Sequence, residues 1–203
     1  MKILMIDNYD SFTYNLVQYL RELTNTKITV VRNDEVPVDF VQDFDCIFIS
    51  PGPGVPKDSG IIIEVIKKYA PHKPIFGVCL GLQAIGEAFG GNLTNLDQVY
   101  HGVHTPVIIT DPGETIFAGI PSPFQAGRYH SWVVSKDNFP QDLVITAEDE
   151  HGMIMAASHR TYQVKGVQFH PESILTPDGK RILKNFLVES EAIYKKQLIE
   201  NTF

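Results

Sequence analysis

Apolar and polar positions in the first half of the chain follow two alternating rhythms. Short apolar runs at Lys2–Ile6, Lys27–Val31, Asp45–Ile49 and Pro74–Val78 read as buried strands. Amphipathic stretches separate them. Asp10-Ser11 supplies a capping pair for a helix through about Leu23, with Phe12, Leu16, Val17 and Leu20 on one face. Ser59–Tyr69 and Leu82–Phe89 read as further helices. Strands alternating with helices imply parallel pairing, right-handed crossovers and helices on both sheet faces. Ligands in such folds collect beyond the carboxyl ends of the strands. Asp7-Asn8, the stiff turn Ser50-Pro51-Gly52-Pro53-Gly54 and Cys79 all fall at such ends, so three segments converge on one rim.

The rhythm changes in the second half. Short β-rich runs at Thr105–Thr110, Arg128–Val134, Leu143–Ala147, Met153–Ala157 and Gln163–Phe169 are punctuated by Gly and Pro. They predict antiparallel hairpins that lie beside the main sheet or continue it. Asp178 or Gly179 then opens a last helix carrying Ile182, Leu183, Phe186, Leu187 and Ile193. With no linker, repeat or low-complexity segment in view, one domain over residues 1–203 is the expectation.

Composition narrows the class. The 203 residues are 43% hydrophobic and 20% charged, which suits a globular protein with a sizeable core. The net charge of −7 argues against nucleic acid or an anionic membrane as the main partner. No apolar run approaches the length of a membrane span. Met1-Lys2-Ile3-Leu4-Met5-Ile6-Asp7 meets an acid too early for a signal peptide, so a cytoplasmic setting is expected. In that setting the two cysteines, Cys46 and Cys79, read as free thiols rather than a disulfide. Cys46, inside a strand pattern, reads as a small core hydrophobe.

Cys79 differs. Gly77-Val78-Cys79-Leu80-Gly81 places small residues two before and two after a thiol, between an apolar strand and a helix. A sharp strand-to-helix turn of this kind lifts one side chain off the sheet edge and aims backbone N–H groups at a substrate. A thiol nucleophile needs a base, and the base needs an orienting partner. His170 ends the apolar run Gly166-Val167-Gln168-Phe169, and Glu172 lies two residues further on, past Pro171. Taken alone, His-Pro-Glu reads more readily as a solvated strand end; the elbow, His-x-Glu and Pro-Gly-Pro-Gly occurring together in order reverse that. A zinc-deaminase reading fails for want of a Pro-Cys-x-x-Cys segment, and neither a metal nor an organic cofactor is expected.

Together these blocks resemble the class I (triad) glutamine amidotransferases. The match runs through Asp7-Asn8-Tyr9-Asp10-Ser11-Phe12-Thr13-Tyr14-Asn15, Ser50–Gly54, Gly77–Gly81, Arg128-Tyr129-His130-Ser131 and Gly166–Thr176, nearly the whole chain. The elbow and His-Pro-Glu blocks are common to the class. The first block and Arg-Tyr-His-Ser resemble its chorismate-using branch, which serves anthranilate synthase and aminodeoxychorismate synthase.

The resemblance implies a flavodoxin-like α/β fold, an open and mostly parallel sheet with helices on both faces plus C-terminal antiparallel strands. It implies hydrolysis of L-glutamine by Cys79, His170 and Glu172. The oxyanion would be met by the Leu80 N–H and one from Gly52, Pro53 or Gly54. Gln83 would contact glutamine, and the Ser131–Trp132 backbone would hold its amino-acid end. Solvation for Gln83, turn geometry for Gly52 and Gly54, and a core role for Trp132 stay open. The implied partner is a chorismate-binding synthase large subunit in a heteromeric complex, without which such subunits are often poorly active. The glutaminase subunit of another synthase, such as one making GMP, and a non-catalytic relative are the alternatives. Two positions depart from the family: Leu82 stands where His is common after Cys-Leu-Gly, and Val103 follows His101-Gly102 where the branch often has Lys.

Overall fold

The computed structural model describes residues 1–200. Eleven strands and four helices follow in order: β1 Ile3–Asp7, α1 Thr13–Leu23, β2 Ile28–Arg32, β3 Cys46–Ile49, α2 Ile62–Tyr69, β4 Ile75–Val78, α3 Leu80–Ala88 and β5 Leu93–Asn95. Then come β6 Val103–Ile109, β7 Phe124–Arg128, β8 Trp132–Val134, β9 Leu143–Asp149, β10 Ile154–His159, β11 Val164–Val167 and α4 Gly179–Glu200. Nine strands form one sheet in the order β2-β1-β3-β4-β11-β10-β9-β6-β7. β2, β1, β3, β4 and β11 are parallel, and β10, β9, β6 and β7 extend the sheet by antiparallel pairing. β5 and β8 make a separate two-stranded ribbon.

The period-2 alternation of the strands divides the core into two halves. Ile3, Met5, Cys46, Phe48, Phe76 and Val78 face one side with α1 and α4. Leu4, Ile6, Ile47, Ile49 and Ile75 face the other, with α2 and α3. On the first side Phe186 of α4 sits 5.5 Å from Phe48 and 4.9 Å from Phe76, ring centre to ring centre. Fully burying side chains of this size contributes roughly 1.5–3 kcal/mol each, which fixes α4 across the sheet. Cys46 lies in this core, wholly buried, as a small hydrophobe would.

The parallel half matches its sequence pattern, with shifted helix starts. α1 begins at Thr13 with no side-chain cap. Asp10 instead accepts the Phe12 N–H at 2.8 Å, closing the turn ahead of the helix. α2 begins at Ile62 because Gly60 holds φ +57° and turns the chain first.

The larger correction is Arg128–Val134. This β-rich run is two strands in two sheets: Arg128 ends β7 in the main sheet, while Trp132 opens β8 in the ribbon. The chain leaves one sheet for the other through Tyr129-His130-Ser131. β5 and the residues 124–127 of β7 had no sequence expectation. β11 is also not part of a hairpin layer only, because it pairs parallel with β4.

Candidate functional site

β4 ends at Val78 and its parallel neighbour β11 ends at Val167, in register. The chemistry-bearing residues follow directly from these two ends. Cys79 heads α3 with φ +53° and ψ −101°, a conformation sparsely populated by non-glycine residues. Its neighbours make that turn feasible. A Cβ on Gly77 would come within 2.4 Å of the Gly81 backbone, and one on Gly81 within 2.7 Å of the Ile49 carbonyl oxygen. Cys79 N–H donates to the Val167 carbonyl at 2.7 Å, tying the elbow to the strand that delivers His170.

His170 is held from several sides. Its backbone N–H donates to Gly127 O at 2.9 Å, and its carbonyl accepts from Thr176 Oγ1 at 2.7 Å. Thr176 Oγ1 accepts in turn from Gly127 N–H at 2.9 Å. The ring packs edge-on against Phe12 at 5.5 Å and Tyr129 at 4.8 Å. Nδ1 contacts Glu172 Oε1 at 2.7 Å, with both side chains buried. Nε2 has no hydrogen-bond partner of good geometry among the described residues and is the nitrogen left for the thiol. Burial pushes the imidazole pKa down. The Glu172 charge, the facing Cys79 thiol and the hydrogen bond to Glu172 outweigh it, so the pKa stands well above the ordinary value.

A cleft of about 170 Å³ opens in front of Cys79, lined by Gly52, Pro53, Gly54, Gln83, Tyr100 and Ser131–Trp132 among others. It is smaller than the roughly 300–1,000 Å³ of drug-sized ligand pockets, which suits an amino acid. Asn8 fixes one wall: its N–H donates to Ser50 Oγ and its side-chain amide to the Ser50 carbonyl, both at 2.8 Å. A side chain at Gly52 would meet Asn8 Cβ at 2.5 Å and Leu80 Cδ2 at 2.8 Å, so glycine is required there for close approach. Leu80 buries its side chain in the core. Only its N–H, one of those a first helical turn leaves without an intrahelical acceptor, can serve a ligand. Gln83 is buried rather than solvated. Its Nε2 donates to the Trp132 carbonyl at 2.9 Å, and its Oε1 has no partner among the described residues.

The sequence reading missed Gln168. It is wholly buried and its Nε2 donates to Cys79 Sγ at 3.4 Å. Its Oε1 accepts from Gln83 Nε2 at 3.3 Å. A lone amide inside the apolar run Gly166–Phe169 was the available signal. Leu82, the departure nearest the elbow, faces away from the chemistry. It packs fully buried with Val134, Ile154 and Ala157. Val103, the other departure, is 42% exposed. Among the described residues no cluster of three His, Cys, Asp or Glu side chains is placed to hold a metal, and no helix is long and apolar enough to cross a membrane.

Comparison with known proteins agrees with this geometry. Residues 4–190 match the family model for glutamine amidotransferase class-I. A relative from Oryza sativa, anthranilate synthase beta subunit 2, chloroplastic, is 51% identical over 91% of this chain and 70% of its own length. The aminodeoxychorismate/anthranilate synthase component 2 of Bacillus subtilis is 46% identical, covering 97% of this chain and 99% of that protein. The crystal structure of a Thermoplasma acidophilum protein named for a GMP synthase subunit superposes with a TM-score of 0.86 at 27% identity, covering 97% of each chain. The elbow, the buried His-Glu pair and the extent of these matches lead to one assignment: the chain belongs to the class-I glutamine amidotransferases.

Proposed function

We propose that this protein is the glutamine-hydrolysing subunit of a chorismate-aminating synthase and works through Cys79, His170 and Glu172. The observation that carries the reading is the strained thiol at the head of α3, beside an imidazole whose other nitrogen is held by a buried carboxylate. His170 takes the thiol proton, and the thiolate attacks the carboxamide carbon of glutamine. The tetrahedral oxyanion is met by the Leu80 N–H and a donor from the Gly52–Gly54 turn; one such donor is commonly worth about 100- to 1,000-fold in rate. The C–N bond breaks as imidazolium returns its proton to the departing ammonia. Water, deprotonated by His170, then cleaves the thioester to glutamate and restores the thiol. Glu172 stabilises each imidazolium and fixes the tautomer.

Ammonia then passes to a partner polypeptide that holds chorismate. The names of the 46–51% identical relatives support this branch. The neighbour named for GMP synthase is 27% identical.

The test measures glutamine hydrolysis with and without a chorismate-binding synthase partner, and identifies the aminobenzoate isomer formed. Glutaminase activity should rise with that partner and vanish in Cys79→Ser. Equal hydrolysis by wild type and Cys79→Ser refutes the nucleophile. Activation only by a nucleotide synthase refutes the branch.

A further inference from the structure

Within the Arg128-Tyr129-His130-Ser131 block, Arg128 and His130 have no role in the chemistry above, yet His130 lines the cleft. Arg128 is among the most deeply buried side chains in the protein, 1% exposed. It pairs with the equally buried Asp149 at 2.8 Å and lies 3.6 Å from the centre of the Tyr100 ring. Its Nε–H donates to His130 Nε2 at 3.1 Å. A guanidinium cannot accept a hydrogen bond. His130 Nε2 therefore carries the lone pair, and the proton of the neutral ring is on Nδ1. That Nδ1–H points at the Trp132 carbonyl, 3.0 Å away. Burial and the Arg128 charge push the His130 pKa down to about 3, so the neutral form holds throughout the physiological range.

The Trp132 carbonyl thus accepts two hydrogen bonds, from His130 and from Gln83 Nε2. This second bond, together with the one to Gln168 Oε1, sets which way the Gln83 amide faces: Nε2 is taken, and the buried acceptor Oε1 has no partner among the described residues. Between His130 and Trp132 lies Ser131, and Tyr100, Gln83 and all three of these residues line the cleft.

We propose that His130 is a positioning residue, whose Nδ1–H, set by Arg128, holds the Trp132 carbonyl and through it the Gln83 amide in the arrangement that receives the amino-acid end of the substrate. It acts on recognition of that end and leaves the thiol itself unchanged. The inference rests on the glutamine reading of the cleft.

Two probes of Cys79 separate recognition from reactivity. A diazoketone analogue of glutamine must seat its amino-acid end before it alkylates the thiol, whereas iodoacetamide has no such end. Labelling at Cys79 is followed by peptide mass in wild type, His130→Asn and His130→Phe. Asn keeps a donor where Nδ1 stands and loses the ring; Phe keeps the ring and loses the donor. Both remove Nε2, the atom that accepts from Arg128, so that loss is common to the two. The diazoketone rate constant in His130→Phe should fall about 10-fold or more relative to wild type, as expected when a buried acceptor loses a donor. His130→Asn should retain most of it, and iodoacetamide rates should agree across the three within about twofold. Equal diazoketone losses in the two variants, or Phe outperforming Asn, overturn the proposal in favour of packing. A parallel loss with iodoacetamide also overturns it. Failure of wild type to react with the diazoketone even in complex with a chorismate-binding synthase partner refutes the glutamine reading, and this inference with it.

Discussion

Adding one methyl group at Gly81 should disable the elbow while leaving the fold intact. A Cβ there would sit 2.7 Å from the Ile49 carbonyl oxygen, against at least 3.4 Å for ordinary contact. The gap must open by about 0.7 Å. Ile49 is wholly buried in β3, which is hydrogen-bonded on both sides by β1 and β4. It has little room to yield, so the displacement falls on the first turn of α3, which carries Cys79 and the Leu80 N–H. A misplacement near 1 Å in a reacting constellation can cost about 100-fold in rate. Gly81→Ala should therefore lose roughly 10- to 100-fold in glutamine kcat/KM and about 1–3 kcal/mol of stability from overpacking. At roughly 2–4 °C per kcal/mol for a chain of this size, Tm drops by about 2–12 °C.

Gly90→Ala is the matched control. Gly90 has φ +90°, and a Cβ placed there would meet nothing within 4 Å, at the far end of α3. Its substitution costs about 1–3 kcal/mol of backbone strain without touching the elbow. Thermal melts paired with turnover, measured well below both transitions, separate the two effects. Full activity in Gly81→Ala, or an equal activity loss in Gly90→Ala, would refute the steric argument.

Leu82→Ala should cost about 2–5 kcal/mol in urea unfolding, because Leu82 is wholly buried against Val134, Ile154 and Ala157; glutamine KM should hold, and a changed KM with unchanged stability would show that this side chain serves the cleft after all. For His130 the pKa is lowered by burial and by the Arg128 charge to about 3, so the unfolded chain binds its proton first and stability is lost as pH falls below about 6.5, by roughly 1.4 kcal/mol per unit until about pH 3. His130→Asn should remove that component from the pH dependence of unfolding, and an acid limb as steep as wild type would refute it.

How much of this was legible in the sequence depends on where the signal lives. Strands such as Ile3–Ile6 and Cys46–Ile49 announce themselves because both of their faces are buried, giving unbroken apolar runs. Cys79 is legible through its glycine neighbours, since the elbow needs the missing side chains at Gly77 and Gly81. Arg128–Val134 misleads for a physical reason: every residue in it suits a strand, and the change of sheet at Tyr129–Ser131 depends on pairing with the distant β5 and β6. Gln168 shows only as a lone amide in an apolar run; its contact with Cys79 exists only once β11 lies beside β4. Leu80 enters the reading through its N–H and Trp132 through its carbonyl, and side-chain identity encodes neither. The Asp10 cap shows the opposite error, a correct residue type whose bond closes the turn before the helix.

The parallel pairing of β4 with β11 also sets the order in which the protein can come to life. Cys79 and Gln168 are 89 residues apart. At about 5–20 residues per second, synthesis leaves roughly 4–18 s between the emergence of one and the other. During that interval β4 is an unpaired inner edge, open to mispairing with other chains. The thiol is meanwhile without His170, Glu172 or the Val167 carbonyl that anchors its turn. The arrival of residues 164–172 closes the edge and brings Gln168, His170 and Glu172 to the thiol in one event. On the proposed mechanism, a nascent or truncated chain carries a dormant thiol, and the last strand to be inserted is the one that arms it.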